Sequence, residues 1–246
     1  MNGDPEVKRR EFRGPAGQGA MLYDASRSSN FSVPWFEPRY WQAHDAIVGE
    51  ARGRGRALIV KCSNGQLLLR HYFRGGLVAK LSRDRYLWRG ENATRPFHEW
   101  RLTHRLHRAG LPVPAPIGAR YLRHGATYDG DMLTEFLPQT ESLAHRFVAG
   151  TMRMSSWIAI GRMLRRFHDF GLCHADLNAH NILLRDEEQA FLIDFDRGSL
   201  RKPGLWRDGN LVRLRRSLEK LDDALPASRL SEAEWHSLLS GYREAR

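Results

Sequence analysis

The chain has 246 residues, 41% of them hydrophobic, enough for a sizeable core in one large domain or two modest lobes. Its 39 Lys and Arg against 28 Asp and Glu leave a formal charge of +11, which suits a polyanionic partner such as nucleic acid, anionic lipid or a phosphorylated substrate. Apolar runs such as Ala57–Val60 and Phe191–Ile193 fall far below the roughly 18 residues of a membrane-spanning helix, and two cysteines, Cys62 and Cys173, exclude a disulfide framework or a Cys-rich zinc site.

Residues 1–30 are rich in Gly, Ser and charge with little periodicity, so the chain is expected to open with a loosely ordered arm. No apolar stretch follows the basic residues of MNGDPEVKRREFRG, which reads as a chain kept on the cytoplasmic side. Two β-rich stretches, Arg56–Lys61 and Gln66–Phe73, flank Ser63-Asn64-Gly65, and Asn-Gly between such runs predicts a hairpin. Phe97, Trp100 and Leu106 share one face of a helix predicted over Arg95–Ala109, which Gly110 stops and Pro112, Pro114 and Pro116 keep from resuming. A second hairpin is predicted over Arg120–Phe136, turning at His124-Gly125 or at Asp129-Gly130 and ended by Pro138.

Beyond Pro138 the pattern becomes helical, with Trp157, Ile160, Leu164 and Phe167 recurring at intervals of three and four up to Gly171. Two short strands, Asn181–Leu184 and Ala190–Ile193, are predicted around an acidic turn at 186–189. Leu211, Leu214, Leu218 and Leu221 mark a basic helix, and Trp235, Leu238 and Leu239 one more. Arg213, Arg215, Arg216 and Lys220 leave two readings of the basic helix: it lies on an anionic bilayer, or it is a core helix with a solvated basic face. The class is α+β, a β-rich part with one helix followed by a mainly α part with a short β insert.

The sharpest chemical signal is His174-Ala175-Asp176-Leu177-Asn178-Ala179-His180-Asn181, followed by Ile193-Asp194-Phe195. It has the form H-x-D-L-x-x-x-N then I-D-F, the catalytic arrangement of protein-kinase-like folds. Four such fixed positions arise by chance in about one chain in a thousand of this length, so composition alone does not explain them. Phosphoryl transfer spreads negative charge over the moving group, and needs cations among the phosphates and a carboxylate aimed at the nucleophilic oxygen. Asp176 is the expected base, and Asn181 with Asp194 the expected oxygen ligands for magnesium. A turn residue, a cap and a strand-end carboxylate would be the structural alternative, and the joint spacing weighs against it. Cys173 and His168 read as buried packing residues, and His174 as a brace for the loop.

Gly49, Gly53 and Gly55 precede the first predicted hairpin and would let backbone N–H groups approach ATP phosphates, although their spacing is not the protein-kinase G-x-G-x-x-G. Where a protein kinase carries the V-A-I-K lysine, Leu67-Leu68-Leu69-Arg70 supplies Arg70, with Lys80 as a competing phosphate ligand and Glu99 as the expected ion-pair partner. Asp194-Phe195-Asp196-Arg197 replaces Asp-Phe-Gly, and Asp196 lacks glycine's freedom, so this loop is expected to be more fixed than in a regulated protein kinase. No A-P-E segment follows, which favours a small hydroxylated acceptor over a protein.

Several segments together resemble the bacterial 3-deoxy-D-manno-octulosonic acid (Kdo) kinases: Gly53-Arg54-Gly55-Arg56, Leu69-Arg70-His71-Tyr72 with Arg74-Gly75-Gly76, Thr94-Arg95-Pro96-Phe97, Leu111-Pro112-Val113-Pro114, the Asp176 loop and Asp194-Phe195-Asp196-Arg197. The likeness runs from about Trp35 to Lys220. It implies a protein-kinase-like bilobal fold: an arm over 1–30, a nucleotide-binding lobe over 31–137, and a lobe over 138–246 holding the catalytic loop, metal site and acceptor. It also implies ATP- and Mg2+-dependent phosphorylation of the Kdo O-4 hydroxyl on a lipid A precursor, at the cytoplasmic face of the inner membrane. The +11 charge agrees in sign with an anionic lipid substrate in an anionic leaflet. Another core sugar such as heptose, or a soluble acceptor, would leave the motifs unchanged. A silent kinase-shaped binding protein is opposed by Asp176, Asn181 and Asp194 together, and no zinc-finger or RNP-like motif supports nucleic-acid binding.

Overall fold

The computed structural model describes residues 6–14, 17–28, 30–51, 57–63, 65–73, 84–227 and 229–244. Contacts divide the chain into two units, Met1–His104 with Pro114–Phe136, and Arg105–Val113 with Leu137–Arg246. The first holds strands β1 (Val7–Gly14), β2 (Gly17–Asp24), β3 (Ile47–Ala51), β4 (Ala57–Cys62), β5 (Gly65–His71), β6 (Tyr86–Leu87), β7 (Pro116–His124) and β8 (Thr127–Glu135), a short helix α1 (Pro38–Ala43) and most of helix α2 (Arg95–Arg108). Its antiparallel sheet runs β1-β2-β7-β8-β5-β4-β3, with β6 on β8. The two expected hairpins are β4–β5, closing at Cys62 opposite Gly65, and β7–β8, which turns after His124 with Gly125 in the left-handed region. Asp129-Gly130, the other candidate turn, lies within β8, and Gly49 lies in β3 opposite Ile59.

Residues 7–24 correct the expectation of a loose arm, because they form β1 and β2 and extend the sheet past β7. Alternation failed as a signal for two reasons. β1 is an edge strand that exposes its charges, and β2 is buried on both faces through Ala20, Met21 and Leu22. The glycines that suggested disorder permit close approach: a Cβ on Gly19 would sit 2.2 Å from the Tyr121 carbonyl oxygen. One face of the sheet packs Ala20, Leu22, Tyr72, Phe97, Trp100, Tyr121 and Met132. The other packs Met21, Phe31, Phe36, Trp41, Val60, Leu67 and Leu133.

An ionic row centred on the buried pair Arg120–Asp131 crosses this sheet. His71 Nδ1 lies 2.7 Å from Asp131 Oδ1, and Arg120 donates from Nε to Asp131 Oδ2 at 2.6 Å and from Nη1 to Glu37. Burial alone would depress the His71 pKa, but hydrogen bonding to Asp131 and the charges of Asp131, Asp129 and Asp84 outweigh it and raise it above 6.5. A raised histidine pKa stabilises the fold fully below the unfolded value, and that stabilisation is lost as pH climbs through the folded value. The unfolding free energy of wild type minus His71→Asn, from urea titrations, should therefore shrink as pH rises above the ordinary histidine value of 6.5. A difference that stays constant with pH would remove the charged His71–Asp131 pair.

The second unit contains β9 (Glu141–Ser142), α3 (Leu143–Ala149), α4 (Met154–Phe170), β10 (Leu172–Cys173), β11 (Ile182–Leu184), β12 (Ala190–Leu192), β13 (Ser199–Leu200), α5 (Trp206–Asp222) and α6 (Glu232–Glu244). The expected stripe of α4, Trp157, Ile160, Leu164 and Phe167, is buried. Against it α6 crosses at backbone contact, since a Cβ on Gly161 would lie 2.0 Å from the Leu238 carbonyl oxygen. His168 is buried and 2.7 Å from Tyr242 Oη, and desolvation lowers its pKa to about 4, so it packs as a neutral ring. The leucine stripe of α5 faces the core, with Leu211, Leu214 and Leu218 buried and Leu221 half-buried, so its basic residues lie off that stripe.

Candidate active site

The loop that carries Asp176 leaves α4 through Gly171 and passes along β10, where Cys173 is buried and pairs with Ser199 of β13. His174, buried, is fastened at four atoms. Its backbone N–H donates to Asn210 Oδ1 at 3.1 Å, and its carbonyl accepts from Asn210 Nδ2 at 3.0 Å. Its ring Nδ1 accepts the Asp176 N–H at 3.2 Å, which leaves Nε2 as the donor to the Ile193 carbonyl at 3.0 Å. The neutral ring is a strut between the loop and the end of β12, as expected of a brace.

Asp176 is held by its backbone. Its carbonyl accepts from Asn181 Nδ2 at 2.9 Å and Asn178 Nδ2 at 3.0 Å, and Leu177 beside it is fully buried. The Asp176 carboxylate is exposed, so the loop fixes the main chain and presents the acid to solvent. Asn178 also caps the 3-10 turn Ala179–Asn181 by accepting the His180 N–H at 2.9 Å.

Asn181 and Asp194 stand on neighbouring strand ends. The β11–β12 ladder pairs Ile182 with Leu192 and continues with the Ile193 N–H donating to the Asn181 carbonyl at 3.0 Å. Asp194 comes next, with φ +66, a left-handed conformation that Asp tolerates better than most side chains. The left-handed position in this segment is thus Asp194, not Asp196; Phe195 beyond it is buried against His174 and Phe167, and the Gly198 N–H closes the turn on the Phe195 carbonyl at 2.8 Å. Since the Asn181 amide nitrogen is spent on Asp176, its oxygen remains as a hard donor, and Asp194 follows the residue that bonds the Asn181 carbonyl. That donor set fits magnesium, which takes one or two protein oxygens and shares its remaining positions with water and phosphate.

In the first unit, Arg70 Nη2 meets Glu99 Oε2 at 2.5 Å, the pair expected from the sequence. Tyr72 Oη donates to the same oxygen at 2.5 Å, and the Arg70 guanidinium lies 4.7 Å from the Tyr72 ring centre. The pairing compensates Glu99, which is 3% exposed. Gly53, Gly55, Lys80 and Arg74-Gly75-Gly76 lie outside the described residues.

Sequence reasoning missed Asn210, Ser217 and Tyr72. On α5, Asn210 clamps His174 and Ser217 Oγ accepts the Ala179 N–H at 3.1 Å, so the helix that supports the loop was read only for its leucines and arginines. The available signal was an Asn and a Ser seven residues apart on the flank of the Leu211–Leu218 stripe. Asn210→Ala would leave two buried backbone groups unpaired at about 1–3 kcal/mol each. Urea denaturation should show that loss, with kcat falling at least about tenfold as the loop shifts; unchanged stability and rate would deny the clamp.

The family described as "Lipopolysaccharide kinase (Kdo/WaaP) family" matches residues 38–242, reaching into α6 and so past Lys220, where the motif-bearing segment ends. A 3-deoxy-D-manno-octulosonic acid kinase of Stenotrophomonas maltophilia (strain K279a) is 49% identical over 207 residues, covering 83% of this chain and 82% of its own. One of Xylella fastidiosa (strain M23) is 48% identical over 205 residues, covering 83% and 82%, and one of Xanthomonas euvesicatoria pv. vesicatoria (strain 85-10) 48% over 212 residues, covering 85% and 84%. A solved glucosamine kinase covers 96% of this chain and 82% of its own at 14% identity and a TM-score of 0.49. With the match spanning most of the chain and close to half its aligned residues identical to those of such relatives, the chain belongs to the lipopolysaccharide kinase (Kdo/WaaP) family and is an ATP-dependent kinase.

Proposed function

We propose that this kinase transfers the γ-phosphoryl group of ATP to the O-4 hydroxyl of Kdo on a lipid A precursor, in lipopolysaccharide inner-core synthesis. The observation that carries the chemistry is the exposed Asp176 carboxylate on a main chain fastened by His174 and Asn181. The acceptor comes from relatives whose name is that of Kdo kinases.

Asp176 accepts the proton of the acceptor hydroxyl as its oxygen attacks phosphorus. Asn181 Oδ1 and the Asp194 carboxylate hold Mg2+, which when bound neutralises charge on the phosphates. Arg70, oriented by Glu99 and Tyr72, binds phosphate oxygens through its fork of donors, with Gly53 and Gly55 as backbone contacts. The test is ADP release with ATP, magnesium and a panel of acceptors: a Kdo-bearing lipid A precursor, the same lipid without Kdo, a heptose-bearing core and free Kdo. Turnover should require Kdo on lipid; equal turnover on the heptose core or on Kdo-free lipid A would reassign the acceptor.

The working place is the cytoplasmic face of the inner membrane, held by charge. No helix among the described residues is long and apolar enough to cross a membrane. Since Leu211, Leu214 and Leu218 of α5 are buried, its outer face offers Val212 at 47% exposure and, just before the helix, Leu205 at 87%, with Arg213, Arg216 and Lys220 exposed. Arg215 is engaged by Glu219 and Glu232 and does not count. Three such charges at about 1 kcal/mol each give a loose, salt-sensitive attachment. Binding to anionic vesicles should fall as salt rises, and fall at low salt when Arg213, Arg216 and Lys220 become Gln; equal sedimentation of both proteins under both conditions would remove this anchor.

A further inference from the structure

The hairpin β1–β2 lies outside the family match, which begins at residue 38, yet it is bonded to the part of the protein that orients Glu99. From the hairpin a hydrogen-bonded tie runs to one side of that residue, and a carboxylate approaches a histidine ring on the other. Upstream, Arg9 grips Glu91 with both ends of its fork, Nε to Oε1 and Nη2 to Oε2, each at 2.8 Å. Glu91 also accepts from Tyr121 Oη at 2.9 Å and opens the 3-10 turn Glu91–Ala93, and its own carbonyl accepts Thr94 Oγ1 at 2.8 Å just before α2 begins. Downstream, Asp24 at the end of β2 is 5% exposed, and its Oδ2, which Arg27 Nε approaches at 3.7 Å, lies 3.8 Å from His104 Nε2, five residues past Glu99 on α2: a close approach of a carboxylate to the ring, not a hydrogen bond. The other Asp24 oxygen is occupied by the Ser26 N–H at 3.0 Å and Ser26 Oγ at 2.6 Å, so the carboxylate is fixed in direction.

Between these two points the contact is apolar. Ala20 and Leu22 of β2 share one core with Phe97 and Trp100 of α2 and with Tyr72, whose hydroxyl bonds Glu99. Trp100, next to Glu99 in sequence, stacks on His104 at 4.9 Å and 13°. A helix rises about 1.5 Å per residue, so a shift of α2 by one residue would exceed the tolerance of a 2.5 Å ion pair. The tight Arg70–Glu99 contact therefore depends on what holds α2 along its own axis, and the hairpin bears on it through the Arg9–Glu91 tie ahead of its first turn, the shared core, and the Asp24 carboxylate facing His104.

We propose that β1–β2 is a positioning element for the nucleotide anchor, with Arg9 and Asp24 as positioning residues that keep Glu99 on Arg70. This rests on the reading of Arg70 as the phosphate ligand. Arg9→Gln and Asp24→Asn should each raise KM for ATP about three- to tenfold while kcat stays within about twofold, and Arg9→Lys should recover part of the loss. Leu67→Ala, a cavity in the core on the opposite face of the sheet, serves as control: it should lower Tm at least as much and leave KM for ATP unchanged. Arg70→Ala and Glu99→Gln are measured alongside. If these two raise KM for ATP and the hairpin variants do not, or if Leu67→Ala raises it equally, the hairpin is only structural and the proposal is overturned with the anchor intact. If Arg70→Ala and Glu99→Gln also leave KM unchanged, the anchor itself is misassigned and the proposal falls with it.

Discussion

Asp176→Asn should fold as the wild type does and lose at least about a hundredfold in kcat, since general-base catalysis is commonly worth 10² to 10⁴. The folding half of that expectation comes from what Asp176 contributes to the loop. Its N–H and carbonyl make the bonds to His174, Asn178 and Asn181, all of which the amide variant keeps, while the carboxylate itself is exposed. The rate half follows because an amide cannot take the hydroxyl proton. Equal Tm with kcat reduced by less than tenfold would move the base elsewhere.

Asp194→Asn should lose at least about a hundredfold as well, on the scale of removing one preorganised stabiliser of transition-state charge, and its loss should depend on magnesium. Asn rather than Ala is the informative variant, because the backbone at Asp194 has φ +66 and Asn tolerates the left-handed region whereas Ala is strained there. With a neutral oxygen in place of the carboxylate, half-maximal rate should need more magnesium than in the wild type. A variant that keeps the wild-type magnesium curve would place the metal away from Asp194.

The loop of the candidate site was legible because its residues are local in sequence: His174, Asp176 and Asn181 fall within eight residues, and a short β-hairpin returns Asp194 to Asn181. The Arg70–Glu99 pair was legible through the kinase pattern, although the residues are 29 apart. Both hairpins and α2, α4, α5 and α6 were marked by turn chemistry and period. What escaped depends on partners distant in the chain. β1 carries no alternation because, as an edge strand, it is wet on both sides, and β2 carries none because it is dry on both. Asn210 reads as an ordinary helix residue until the buried backbone of His174 gives its amide two partners. Tyr72 differs from a packing aromatic only by a hydroxyl that finds Glu99.

The most direct test of the central claim is the structure of the product. Purified protein, ATP and magnesium are incubated with a Kdo-bearing lipid A precursor, and the lipid is analysed by mass spectrometry and phosphorus–proton correlated NMR, with Asp176→Asn in parallel. The expected product carries one additional phosphoryl group, coupled to the proton at C-4 of Kdo, and the variant forms almost none. A lipid that gains no mass, or gains the phosphoryl group on the glucosamine backbone, would contradict it.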